Sequence, residues 1–459
     1  MKVMLINPPP LGKQTYTNRI LYPPLGLAYI AAILRNKGLM VSLLDANALD
    51  YNLNRIINCM KEFNPDIVGF ASTTGKLEDI HLLANSIKAI NDKTITVLGG
   101  AHPTSEPESA IAIENIDFII VGEGEKTFPL LIDYLIKDKD YSSLKGIGYK
   151  KNGKIFVNER SDFIENLDDL PIPSYDLLPM KKYSSVQSST QKVMMMITSR
   201  GCPYRCTFCA VPKILGYKYR YFSALRVVEE MEYLKNNYGI EEIHFKDSIF
   251  NFNVKRISEI CDLLIQKNVN MTWLCNARVD GVNKEILKKM KEAGCISVIY
   301  GIESGSPDIL KRLKKGFQIE TARKAIEAAK EVGIEVTAGY IIGNPEDTEK
   351  TINETIDFAI DMDTDFAGFN FLTPLPGTEI YEEALEKNWF VKDYDTNNIR
   401  YDKCSINATN LPTKQLEKYL KMAYRRFYFR PNYIIRRFKK INSHDLRASY
   451  NGLKAILKI

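Results

Sequence analysis

Short apolar runs and helical patterns alternate twice along the chain. The first series holds the runs KVMLINPP, MVSLLDAN, DIVGFASTT, TITVLGG and DFIIVGEGE, separated by LGLAYIAAILRNKG, LNRIINCMKEF and helical stretches near 77–91, 105–114 and 126–137. These runs are apolar at nearly every position instead of every second one, which suits strands buried on both faces. Five such strands with helices between them predict an α/β domain over residues 1–140, a doubly wound, Rossmann-like parallel sheet.

A second series spans residues 186–395. Its runs are VMMMITS, EIHFKDS, MTWLCNAR, SVIYGIES, EVTAGYIIG and DFAGFNFLTP, and its helical stretches include 223–237, 254–267 and Thr321 to Val332. Six such units predict a partial (β/α)6, TIM-like barrel, whose functional side chains belong at the carboxyl ends of the strands. Between the two series, GIGYKKNGKIFVNER reads as a hairpin turning at Asn152-Gly153, a dipeptide that favours a tight two-residue loop. LPIPSYDLLP is too rich in proline for a helix interior or a central strand. Residues 141–185 are therefore expected to be a hairpin and strap that link two domains, and residues 396–459 a small helical C-terminal region.

Composition adds little to this outline: 45% apolar and 26% charged residues are ordinary for a soluble globular chain. No apolar run approaches the roughly 18 residues of a membrane-spanning helix, and the chain reads straight into a strand without a leader pattern. A cytoplasmic location is expected. Charge is more informative, because residues 421–459 carry eleven Lys and Arg against one acid, Asp445, within a net charge of +6. The stretch LEKYLKMAYRRFYFRPNYIIRRFKK interleaves those cations with Tyr, Phe and Ile. It reads either as an amphipathic surface for peripheral contact with an anionic membrane, or as a helical layer with a solvated basic face, broken at Pro431. Nucleic acid is the less favoured partner.

Eight cysteines are too few for a secreted disulfide scaffold, and three of them crowd into TSRGCPYRCTFCA. Cys202, Cys206 and Cys209 share one loop directly after an apolar strand. Thiolates hold iron–sulfur clusters, and four ligands normally complete a cubane. Three leave one iron open to a cofactor or substrate. A structural zinc site is the alternative, but it wants a fourth Cys or His nearby, and no His lies within thirty residues of the triplet. Cys59, Cys261, Cys275, Cys295 and Cys404 read as single core residues.

The spacing CxxxCxΦC, with Phe208 as Φ, resembles the radical S-adenosylmethionine superfamily. That resemblance implies a [4Fe-4S] cluster on Cys202, Cys206 and Cys209, whose open iron chelates S-adenosylmethionine. It also implies a one-electron cleavage to a 5′-deoxyadenosyl radical, with flavodoxin or ferredoxin as external electron donor. Looser matches follow it. GIESGS places Glu303 and Ser304 at a strand end, suited to ribose hydroxyls, while Asp247 and Arg278 would meet the methionyl amine and carboxylate. Gly339 and Gly343 in GYIIGNPEDT would let adenine approach the backbone. A barrel turn, a rim ion pair or close helix packing explains these residues too, and both readings stay open.

Doubly wound sheets bind ligands outside the carboxyl ends of their strands, where the strand order reverses. Ser72, Thr73, Thr74, Gly99, Gly100, Gly122 and Glu123 fall at those ends, and such small residues let a large flat ligand lie against the loops. INPP, YPPLGLAYIAAILR, GGAHPT, VGEGE, LPIPSYDLLP and PLPGT surround the triplet in an order that is similar, over most of the chain, to the cobalamin-dependent radical S-adenosylmethionine enzymes. The resemblance implies an N-terminal cobalamin-binding domain with the loop Ser72 to Lys76 beneath the corrin. The cobalt-binding histidine motif DxHxxG is absent, so His102 is the candidate ligand, against a packing or capping role. Flavin or nucleotide binding is the rival for this domain, though no G-x-G-x-x-G follows the first strand.

The implied activity is C-methylation of an unactivated carbon, with methylcobalamin as methyl donor, on a small-molecule or lipid-linked substrate. Ring formation or oxidation without methyl transfer is the enzymatic alternative, and a cobalamin or redox sensor the non-enzymatic one. Methylthio transfer would need three further cysteines in the N-terminal domain, where only Cys59 stands.

Overall fold

The computed structural model describes residues 1–11, 21–185, 188, 190–396 and 399–440. Its packing divides the chain into two compact units: residues 1–185 with the short segments 213–216 and 395–399, and residues 186–212, 217–394 and 400–459.

The first unit is built on β1 (Lys2–Asn7), β2 (Met40–Asp45), β3 (Ile67–Ala71), β4 (Ile95–Gly99), β5 (Phe118–Ile120), β6 (Ile147–Lys151) and β7 (Lys154–Val157). They form one sheet in the order β2-β1-β3-β4-β5-β6-β7, and β1 to β5 are parallel, as the continuous apolar runs predict. Met4, Ile6, Val68, Phe70, Leu98 and Ile119 on the strands pack with Ile80, Leu83 and Ile87 of the helix Leu77–Ile90. Each such side chain contributes about 1.5–3 kcal/mol when fully buried. Strand order reverses between β1 and β3, which places the crevice of this sheet at the carboxyl ends of those strands.

The expected linker is corrected by this unit. The hairpin β6–β7 pairs antiparallel with β5 and completes the sheet, because an unpaired edge of backbone donors and acceptors is stabilised by a further strand. The proline strap lies on the helix Leu25–Asn36: the Ser174 amide donates to the Ala28 carbonyl at 3.0 Å, Arg35 pairs with Asp176 at 2.8 Å, and Tyr175 is fully buried. Residues 141–185 thus belong to the first unit.

The second unit contains β8 (Val193–Met196), β9 (Ser199–Arg200), β10 (Arg220–Tyr221), β11 (Glu242–Phe245), β12 (Thr272–Ala277), β13 (Cys295–Glu303), β14 (Glu335–Ile342) and β15 (Phe366–Phe371). Six of these make a parallel sheet in the order β8-β11-β12-β13-β14-β15, the partial barrel expected from the six repeats. Its helices begin where the sequence supplies caps. Ser223, Asn253, Asn283 and Thr348 each accept the backbone N–H three residues on, an interaction typically worth about 1 kcal/mol.

The outer edge of β15 is covered by the helix Thr413–Tyr428. The Tyr428 hydroxyl accepts the Ala367 N–H at 3.1 Å and donates to the Ala367 carbonyl at 2.7 Å; Tyr424 does the same for Phe369 at 3.1 and 2.9 Å. The match is geometric, since four helical residues rise about 6 Å and two strand residues about 6.6 Å. The next helix, Pro431–Lys440, adds a Tyr433 hydroxyl bond to the Asp365 carbonyl at 2.8 Å. Arg430 and Arg436 both pair with Asp363, Arg426 with Asp357 and Arg437 with Glu335. The described part of the basic stretch is a helical layer on the barrel, with Arg426, Arg430, Arg436 and Arg437 set against acids. Residues 441–459 of the tail lie outside the described residues. Among those described, no helix is long and apolar enough to cross a membrane.

Candidate functional site

β8 leads through Thr198, Ser199 and Arg200 into the cysteine loop, and Gly201, at φ 82°, turns the chain out of the strand. Cys202, Cys206 and Cys209 are free, partly buried thiols. Burial pushes the Cys209 thiol up to about 11 and raises that of Cys202, and the neighbouring sulfurs add to both effects. Two backbone bonds fix the loop: the Thr207 N–H reaches the Leu313 carbonyl at 3.2 Å, and the Thr207 carbonyl accepts from Ile380 at 3.0 Å. Phe208, the Φ of the spacing, packs against the cluster of Leu372, Ile380, Ala384 and Ile406.

Asp247 holds the approach to this loop. It is 1% exposed, and its carboxylate accepts from the Thr198 amide at 2.8 Å, the Ser199 hydroxyl at 2.6 Å and the Thr198 hydroxyl at 3.2 Å. Burial raises its pKa, and those donors together with Arg256 oppose the rise. In this structure the carboxylate binds the strand that delivers the cysteines.

Arg278 also braces the loop. Its guanidinium lies 3.5 Å from the ring centre of Tyr204, which stands between Cys202 and Cys206, and it grips Asp280 through two bonds of 2.9 and 2.8 Å. A further bond of 2.6 Å reaches the Lys315 carbonyl. The Lys315 ammonium in turn donates to Glu303 at 3.1 Å. Glu303 ends β13 at φ 74°, a conformation that non-glycine residues adopt only when the surroundings enforce it. Ser304 is fully buried, sharing a hydrogen bond with Thr355 at 2.9 Å and accepting from the Ser306 amide at 3.1 Å. The turn reading therefore describes Ser304, while Glu303 stands beside the loop. Lys315, Tyr204, Asp280 and Thr355 were not singled out from sequence, and only the position of Tyr204 inside the triplet could have drawn attention to it. Gly301, Gly339 and Gly368 stand in register across β13, β14 and β15. A side chain added at Gly368 would meet nothing within 4 Å, whereas one at Gly301 would begin 2.5 Å from Glu303 Oε1, so the room above the sheet lies toward β15.

In the first unit the predicted residues gather at the carboxyl ends of β3, β4 and β5. The Ser72 amide donates to the Gly99 carbonyl at 2.9 Å, and Gly100, at φ 110°, lies so close that a side chain there would begin 2.6 Å from the Ser72 carbonyl oxygen. Lys76 reaches across the crevice toward the Pro8 carbonyl at 3.4 Å, and burial lowers its pKa. His102 is 3% exposed, with Nδ1 3.3 Å from the Thr74 hydroxyl and Nε2 3.1 Å from that of Ser109; burial holds its pKa down at about 4. Both ring nitrogens are within hydrogen-bond distance of hydroxyls. Glu123 accepts the Ile164 amide at 2.7 Å, and Gly122, at φ 98°, makes room for Arg160.

These features define a class: a barrel whose first strand delivers three thiols, preceded in the chain by a doubly wound domain with a small-residue crevice. The donor set fits a cubane with an open corner, being three thiols on one loop that form no disulfide. Among the described residues no three Cys, His, Asp or Glu side chains converge as ligands of a single metal ion; a cubane asks each thiolate to hold a different iron. The crevice fits a large flat ligand, since Gly99 and Gly100 leave backbone open there.

Comparison with known proteins agrees. The model of the Radical SAM superfamily matches residues 196–359, and that of the B12 binding domain matches residues 19–132. An uncharacterised methyltransferase of Pyrococcus horikoshii is 36% identical over 99% of this chain and 98% of its own length. The cytidylyl-2-hydroxyethylphosphonate methyltransferase of Streptomyces wedmorensis is 28% identical over 89% of this chain and 86% of its own. The cobalamin-dependent S-adenosylmethionine radical enzyme OxsB, solved with aqua-cobalamin bound, shares the fold with a TM-score of 0.78 at 20% identity, covering 99% of this chain and 71% of that one. The chain belongs to the cobalamin-dependent radical S-adenosylmethionine enzymes, and its cofactors are a [4Fe-4S] cluster, S-adenosylmethionine and cobalamin.

Proposed function

We propose that this chain is a methyltransferase acting on carbon of a small-molecule substrate, with the cluster on Cys202, Cys206 and Cys209 and cobalamin against Ser72 to Thr74, Gly99, Gly100 and Gly122. When bound, these cofactors supply a hydrogen-abstracting radical and a methyl group, and the protein aligns them and excludes water. The observation that carries the reading is the cysteine loop itself: three free thiols whose approach strand is fixed by Asp247 and whose turn is stacked on Arg278. Methyl transfer is supported by the two relatives above, both of which are named methyltransferases.

An external one-electron donor of the flavodoxin or ferredoxin class belongs to this reading. A reducing cytoplasmic setting is supported by eight cysteines that are all free thiols. The barrel-bound arginines of the C-terminal helices favour a packing role for that region over a membrane contact.

Anaerobic reconstitution tests the reading. The wild-type chain should take up iron and inorganic sulfide, and after reduction convert S-adenosylmethionine to 5′-deoxyadenosine. Replacing the three cysteines by alanine should abolish both. A mononuclear zinc without sulfide overturns the cluster. In extracts of a deletion strain, loss of a methylated metabolite supports methyl transfer, and loss of a ring redirects the reading to cyclisation.

A further inference from the structure

Lys315 is 5% exposed and lies on no predicted motif. A buried ion pair adds little net stability, because desolvating two charges offsets most of their attraction. Its place in the fold is more telling. Leu313 and Lys315 together hold the cysteine loop, the first through the Thr207 amide at 3.2 Å and the second through the Arg278 guanidinium at 2.6 Å, stacked on Tyr204. The Lys315 ammonium stands 5.7 Å from the ring centre of Phe208, and the Cys202 and Cys209 thiols both feel its charge. Its partner Glu303 accepts from it through Oε1 at 3.1 Å, and the same oxygen lies 2.5 Å from where a Gly301 side chain would begin.

Resting on the proposed cluster, we propose that Lys315 is a positioning residue for electron entry: a fixed cation beside the cysteine loop that raises the cluster's reduction potential, opposed by the Glu303 carboxylate. Reduction adds one negative charge to a site that already holds three thiolates, and net charge and burial are among the quantities that set such potentials. In a partly desolvated site a nearby cation favours the more negative form far more than it would in water. The electron comes from a low-potential one-electron carrier, and no bond is made or broken on the protein. Arg278 also acts on the Cys202 thiol, but it does so as one half of a two-bond pair with Asp280 at 2.9 and 2.8 Å, whereas Lys315 meets Glu303 through a single bond of 3.1 Å and is the cation that both Cys202 and Cys209 feel.

The test is an EPR-monitored redox titration of the full-length chain, reconstituted with iron and sulfide and free of S-adenosylmethionine. Lys315→Met should lower the ratio of reduced to oxidised cluster at a fixed potential tenfold or more, a shift of about 59 mV for one electron. Lys315→Arg should stay close to the parent, and Glu303→Gln should shift the potential upward. A purely structural role would not give opposite shifts for the two partners. Unchanged potentials in both variants, or shifts of the same sign, overturn the proposal. Should Lys315→Met take up no iron, Glu303→Gln decides: a rise supports the assignment, and no change or a fall overturns it. A wild-type chain with neither sulfide nor an EPR signal overturns the cluster reading itself, which is a separate failure.

Discussion

Around the cysteine loop of the barrel, formal charge is dense: Asp247, Arg256, Arg278, Asp280, Lys315 and Glu303 all lie within its supporting contacts. At the carboxyl ends of β3 and β4 formal charge is sparse: apart from Lys76, the contacts are made by amides, hydroxyls and a neutral imidazole, and Gly100 meets Ser72 through bare backbone. The difference follows from what each region has to hold. Thiolate ligands and a redox change need a stiff, electrically defined surrounding. A broad, flat ligand needs a surface without protruding side chains. Charge therefore organises one region and shape the other, and the two should fail independently.

The largest effect is expected from Asp247→Ala. It removes the acceptor of one buried amide and two buried hydroxyls and leaves Arg256 beside a deleted charge. Each stranded buried group costs about 1–3 kcal/mol, so three of them imply a loss of about 3 kcal/mol or more. Thermal unfolding should fall and iron uptake drop sharply, with cobalamin retention preserved. Unchanged iron uptake would break the argument that buried charge shapes the loop.

Gly100→Val is the converse change and the next in size. Gly100 combines φ 110° with ψ −161°, a region essentially closed to other residues, where strain costs about 1–3 kcal/mol. The new side chain would also press on the Ser72 carbonyl. Cobalamin copurifying with the protein should be lost while iron and sulfide stay at the wild-type level. Loss of both would show that the two regions are not independent.

The strands and their order in two series could be read from the sequence because double burial leaves continuous apolar runs, and the cysteine triplet because ligand chemistry requires fixed spacing. The hairpin at Asn152-Gly153 was visible too, but not its partner: which edge a hairpin joins depends on where β5 ends, not on the turn. The tyrosine cover of β15 is a contact between residues 61 apart in the chain for Tyr428 and Ala367, so no local pattern announces it. Asp247 and Ser304 were identified as strand-end polar residues, yet a side chain's partner is decided by neighbours such as Thr198 and Thr355 that come from other elements. Lys315 follows a short helix in a run of lysines, where sequence alone suggests a solvated face.

His102 gives the smallest effect and the finest test of the neutral region. In the folded chain its pKa is about 4, against 6.5 when exposed. Between those values the unfolded chain binds more protons, so stability rises with pH through this window and is lost as pH falls from 6.5 toward 4. Lowering the pH from 7 to 5 should cost about 1–2 kcal/mol from this group, at no more than about 1.4 kcal/mol per pH unit. His102→Gln keeps a donor and an acceptor for Thr74 and Ser109 but does not titrate, so its stability curve should be flatter below pH 6.5. Its bound cobalamin should keep the wild-type absorption spectrum, because a ring nitrogen could reach cobalt only by giving up Thr74 or Ser109. A spectrum that changes on substitution would place the imidazole on the metal and make this region, like the cysteine loop, one organised by a ligand bond.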